Sequence, residues 1–100
     1  MDITITEQNG KLVAVFDGYL DTAASYNIEM ALKPLYECTD KDIILDCEKM
    51  KYISSAGLRQ FLTILKHSKQ HGRKVYIKDM KEEVYTSLVI TGFSNIFKFI

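Results

Sequence analysis

Tryptophan is absent from this chain of 100 residues, proline occurs once and cysteine twice, and neither sign of charge is in excess. Each shortage excludes something. Cys38 and Cys47 are separated by eight intervening residues with no Cys-x-x-Cys pair, so neither a disulfide framework nor a zinc ligand pattern is expected. They read as buried or idle thiols in a reducing compartment. Pro34 alone and five glycines leave no low-complexity linker, and no repeat is present, so residues 1–100 read as one domain. Thirteen basic residues balance thirteen acidic ones, which leaves no electrostatic footprint for nucleic acid or an anionic membrane. The most apolar stretch, Leu88 to Ile100, is broken by Thr91, Ser94, Asn95 and Lys98. It falls short of the roughly 20 residues a membrane span needs, so no membrane insertion is expected. The start, MDITITEQNG, lacks a basic region followed by an apolar one, so no secretory signal is read there and a cytoplasmic location is expected.

What is present is alternation, then helical spacing. DITITEQ puts Ile3 and Ile5 on one face, and KLVAVFD follows after Asn9-Gly10, a pair suited to a two-residue hairpin turn. Beyond Gly18, apolar residues from Ala23 to Tyr36 fit a helix over about 22–37 with Asp21 or Thr22 as cap and a possible kink or stop at Pro34. DIILDC and KVYIKD read as short buried strands of a parallel sheet. Between them lies a helical stretch from Leu58 to His71, entered through Ser54 and Ser55, with an inner stripe of Leu58, Phe61, Leu62 and Leu65. A third helix is expected over Lys81 to about Ile90, closed by Gly92, and a last strand over Ile96 to Ile100, with Tyr85 and Phe93 in the core. The order ββαβαβα(β) requires crossover connections. It predicts an α/β domain: a mixed four- to five-stranded sheet that opens with a hairpin and is packed by three to four helices.

The chemistry-bearing residues are few. A serine nucleophile at the helix entrance needs a base beside it, yet the only histidines, His67 and His71, stand at the far end of the same helix, on the order of 15 Å or more away at about 1.5 Å per residue. They share a helix face without a third metal ligand, and Gly57 is a lone glycine with no Gly-Lys-Ser/Thr after it, so no metal, cofactor or phosphate loop is expected and the chain is not read as an enzyme. What remains is the turn YISSAGLR. Ser54 and Ser55 are either helix caps or functional handles at a place where unpaired amides face outward. Asp21 is a cap or a partner contact. Tyr19, Tyr52 and Arg59 lie on or beside the same surface. Ala56 keeps its rim shallow, and Gly57 is expected to let another chain approach closely.

DCEKMKYISSAGLRQFL, with Asp46, Tyr52, Ile53, Ser55, Gly57 and Leu58 in register, resembles the signature of the STAS domain family, in particular its bacterial anti-sigma factor antagonists. GYLD, Gly18 to Asp21, is similar to the family's Gly-x-Leu-Asp marker, and ITGFSNIFKFI to its closing pattern through Thr91, Gly92, Phe93, Ile96 and Phe97. The chain differs from the commonest pattern at Ser54, where many antagonists carry Asp, and at Ala56, where many carry Ser or Thr. The resemblance implies that Ser55 is a phosphorylation site, with Ser54 as a minor alternative. It implies a partner surface of Tyr19, Asp21, Ser54, Ser55, Ala56, Gly57 and Arg59. The implied partners are an anti-sigma factor that is also a serine kinase of the histidine-kinase-like ATPase type, and a metal-dependent serine phosphatase. The alternative it implies is an unphosphorylated adaptor, for instance one bracing a transporter ATPase.

Overall fold

Asn9 and Gly10 take φ of 53° and 77°, the backbone of a two-residue hairpin turn whose twist matches the strands it joins. In the computed structural model, which describes residues 1–100, this turn pairs β1 (Asp2–Gln8) antiparallel with β2 (Lys11–Leu20), Gln8 opposite Lys11. The chain then forms α1 (Thr22–Asn27), α2 (Glu29–Tyr36), β3 (Ile43–Asp46), β4 (Met50–Ile53), α3 (Ser55–Gln70), β5 (Val75–Lys78), α4 (Glu82–Ile90), a 3₁₀ turn over Phe93–Asn95, and β6 (Lys98–Phe99). The strand order is β1-β2-β3-β5-β6, with every pair after the hairpin parallel. The expected mixed sheet holds. No helix is long and apolar enough to cross a membrane.

The sixth strand, β4, is the element the apolar pattern did not announce. β2 runs three residues past Asp17 with a register shift at Gly18/Tyr19, and this extension pairs parallel with β4. Gly18 has φ 115°, a conformation open to glycine at little cost. MKYI buries Met50 and Ile53 and exposes Lys51 and Tyr52 between them, so it has no period of two to read.

The first helix is also two helices. The break falls at Ile28 (φ −91°, ψ −3°), not at Pro34, which sits exposed in the last turn of α2. There its missing N–H removes only the bond to the carbonyl of Met30, at a solvent-exposed position. α3 starts at Ser55, three residues before the first apolar marker. Its buried face is Gly57, Leu58, Phe61, Ile64, Leu65 and Ser68. Ile64 takes the inward place expected of Leu62, which is only half-buried. In α4 the inward pair is Val84 and Leu88, four apart, so Tyr85 turns out to solvent at 39% exposure, its ring edge-on to Phe99. Phe93 is half-buried against the core, and the last strand shrinks to two residues.

Ala14 and Phe16 of β2, Ile43 and Leu45 of β3, and Val75 and Ile77 of β5 join one core with Leu32, Leu35, Leu58, Phe61, Ile64, Val84 and Leu88 from the helices. Phe16, Phe61 and Phe97 form an aromatic line through it, with centroids 5.2 and 6.3 Å apart. The opposite sheet face carries Val15, Ile44 and Tyr76, with Asp46 and Lys78 in register and 3.8 Å apart at the end where α3 begins. The parallel sheet is thus covered on one face only, and that covering seats the amino ends of α1 and α3 side by side.

Candidate functional site

The site is built where β2 and β4 end together. The Ser54 amide donates to the carbonyl of Leu20 at 2.8 Å, which ties the exit of β4 to the exit of β2. One residue on from each strand a helix begins: α1 behind Asp21 and α3 behind Ser54. Both are N-caps with an extended backbone. Asp21 Oδ1 accepts from the Ala24 amide at 2.8 Å, and Ser54 Oγ accepts from the Gly57 amide at 3.1 Å.

The two caps are joined through a residue outside the candidate set, Ser25. Ser25, buried in α1, donates its hydroxyl to the Asp21 carbonyl at 2.7 Å, and its Oγ lies 3.5 Å from Ser54 Oγ. Since Ser54 Oγ already accepts from Gly57 and Ser25 has given up its proton, the Ser54 proton is left to point at Ser25. The result is a one-way chain from the Gly57 amide through Ser54 and Ser25 to the Asp21 carbonyl. Gln60 fastens it further: its Nε2 donates to the Ser25 carbonyl at 3.1 Å, and its Oε1 accepts from the Tyr36 hydroxyl. The signal for Ser25 was present, as a hydroxyl three residues before Ile28 on the inward side of a helical spacing.

Against this background Ser54 and Ser55 separate. Ser54 is 7% exposed and has both hydrogen-bonding functions occupied inward. Ser55, the first residue of α3, is exposed, and its hydroxyl makes no hydrogen bond within the protein. The Gly57 and Leu58 amides are taken by Ser54, so the open amides at this helix entrance are those of Ser55 and Ala56. No acidic residue stands in the first turn of α3. The positive end of the helix dipole therefore faces the Ser55 hydroxyl with no carboxylate of its own turn to offset it.

Gly57 does not serve an outside approach. A Cβ there would lie 2.7 Å from Leu20 Cγ and 3.0 Å from Ile53 Cγ1, so the missing side chain lets α3 press onto the ends of β2 and β4. Ala56 is half-buried. Around Ser55 the exposed surface carries Tyr19 and Tyr52, register partners across β2 and β4, with Lys51 Nζ 5.8 Å above the Tyr19 ring. One turn along α3, exposed Arg59 lines a groove of about 500 Å³ between α2 and α3 with Glu29, Met30, Lys33, Tyr36, Gln60 and Thr63. Burial pushes the Tyr36 phenol up to about 12, with Glu29 adding to the shift, so Tyr36 stays a neutral donor.

The remaining reactive types lie elsewhere. His67 Nε2 donates to the Cys38 carbonyl at 3.1 Å and His71 Nδ1 to the His67 carbonyl at 2.9 Å, both near the carboxyl end of α3. Cys38 and Cys47 are free and buried, and burial pushes the Cys47 thiol up, away from the reactive thiolate.

The model of the STAS domain matches residues 2–100. A relative from Bordetella bronchiseptica, BtrV, which bears the name of an anti-sigma factor antagonist, is 30% identical over 97 residues, covering 97% of this chain and 84% of its own. The anti-sigma-B factor antagonist of Staphylococcus aureus is 26% identical over 96 residues, covering 96% and 89%. Among solved structures, a Thermotoga maritima protein described as an anti-sigma factor antagonist superposes with a TM-score of 0.85 at 18% identity, over 97% of this chain and 84% of that one.

Proposed function

Because the chain belongs to the STAS domain family, we propose that it is a phosphorylation-controlled anti-sigma factor antagonist. In its unmodified form it binds an anti-sigma factor through the surface around Ser55, and that partner is also a serine kinase of the histidine-kinase-like ATPase type. The observation that carries the reading is the division of labour at the helix entrance: Ser54 is consumed as a cap, and Ser55 beside it is exposed and unbonded. In the kinase reaction the Ser55 oxygen attacks the γ-phosphorus of ATP, the bond to ADP breaks, and the hydroxyl proton passes to a base on the partner. The histidines of this chain do not supply it, since His67 lies in the last turn of α3 and His71 caps its carboxyl end.

Phosphorylation adds roughly −1.5 to −2 charges at that point. The open amides of Ser55 and Ala56 and the helix dipole accommodate the charge within the domain. The partner, whose surface must desolvate or repel a dianion at the centre of the contact, does not. A penalty of about 3 kcal/mol weakens the complex on the order of a hundredfold, enough for a switch. A metal-dependent serine phosphatase restores the binding form.

The test is capture of the cognate kinase in the presence of ATP. Ser55→Ala is expected to hold the partner throughout, and Ser55→Glu to fail. Equal capture by the parent, Ser55→Ala and Ser55→Glu contradicts the switch and favours an unphosphorylated adaptor.

A further inference from the structure

We infer that Arg59 is the internal counter-ion of phosphorylated Ser55, so that modification withdraws a cation from the partner surface at the same time as it adds an anion. The inference rests on the proposed modification of Ser55 and goes beyond it. Ser55 and Arg59 are i and i+4 on α3, the spacing that brings side chains together on a helix surface, with Cβ atoms about 5–6 Å apart. Both are exposed. The order is the favourable one, with the acidic member toward the amino end. A guanidinium also matches phosphate oxygens two at a time.

Arg59 is free for this role. It takes part in none of the six ion pairs of the protein, and only its backbone carbonyl is hydrogen-bonded by a side chain, that of Thr63. In the unmodified protein it stands at the lip of the α2–α3 groove, among Glu29, Met30, Lys33 and Tyr36, of which Met30 is 78% exposed. That position offers the guanidinium to a partner carboxylate. Once Ser55 carries phosphate, the same group has a dianion one turn away and swings to it. Charged side chains on the neighbouring elements are Asp21 on the α1 cap, Lys51 on β4, whose ammonium lies over Tyr19, and Glu29 and Lys33 of α2, which line the groove with Arg59.

The experiment installs phosphoserine at position 55 during translation, which needs no kinase, and follows the phosphate by ³¹P nuclear magnetic resonance from pH 4 to pH 9. The second ionisation of phosphoserine is ordinarily near 6. Pairing with Arg59 lowers it, so Arg59→Gln is expected to raise the measured value by about half a pH unit. Arg59→Lys should recover part of the shift, because it keeps the charge without the planar fork, and Lys51→Gln should leave the curve in place. Superimposable titrations for the parent and Arg59→Gln overturn the inference. So does a shift in Lys51→Gln that equals or exceeds the one in Arg59→Gln. A kinase that fails to modify Ser55 contradicts the proposed function instead and does not move these curves.

Discussion

Gly57→Ala sets two opposing effects against each other at the entrance to α3. Gly57 is helical without a positive φ, so alanine on its own stabilises the helix by about 1 kcal/mol. Against this, the new methyl would sit 2.7 Å from Leu20 Cγ, 2.9 Å from Leu20 Cδ2 and 3.0 Å from Ile53 Cγ1, where carbon atoms rest at about 3.5–4.0 Å. The nearest atom is the branch point of a side chain, not its free end. Leu20 is fully buried and Ile53 is 3% exposed, so neither has solvent to retreat into. Overpacking of this kind costs about 1–3 kcal/mol. Taking the upper part of that range for so close a contact, the clash wins and the variant loses about 1–2 kcal/mol. For a domain of this size that lowers the melting temperature by about 5–10 °C. Thermal and urea unfolding read the loss directly. Leu20→Ala supplies the control: in that background the methyl has room, so adding Gly57→Ala should cost little or stabilise, and the double-mutant cycle should show strong coupling. A Gly57→Ala protein as stable as the parent, or additive behaviour with Leu20→Ala, refutes the packing of α3 onto β2 and β4.

Two further substitutions probe the cap and a distant anchor. Ser54→Ala removes the acceptor for the Gly57 amide and breaks the hydroxyl chain to Ser25, so it should destabilise by about 1 kcal/mol in urea unfolding while Ser55 still accepts phosphate; unchanged stability would contradict the cap. Asp42 Oδ1 accepts from the Lys74 amide at 3.0 Å and from Arg73 Nε at 3.2 Å, and the amide bond, aided by Arg73, holds its carboxyl below the usual carboxylate range. A folded-state value below the unfolded one gives stability that is fully present above the ordinary value of about 3.9 and is lost as pH falls through the folded value. The stability difference between the parent and Asp42→Asn should therefore shrink between pH 6 and pH 2. A difference that is constant with pH contradicts the anchor.

The elements legible in the sequence are those whose pattern is local. Asn9-Gly10 between alternating runs fixed the hairpin, continuous apolar runs marked β3 and β5, and the spacing of Leu58, Phe61 and Leu65 marked α3. The elements missed depend on a neighbour. β4 is a strand because β2 runs on past Asp17 to pair with it, and nothing within MKYI shows that. Pro34 drew attention to a break that falls at Ile28 instead. At the site, the turn YISSAGLR was legible as a helix entrance, but which serine faces in is settled by Ser25 and Leu20, both more than twenty residues upstream. Gly57 in sequence suggests an opening to the outside, whereas in the fold it lets Leu20 approach from within.

The most direct measurement is phosphate mapping on the intact chain after incubation with its cognate kinase and ATP, by fragmentation mass spectrometry able to tell Ser54 from Ser55. The account predicts one added phosphate, on Ser55, with Ser54→Ala modified at the same position and Ser55→Ala not modified at all. Phosphate on Ser54, or continued modification of Ser55→Ala, would contradict it.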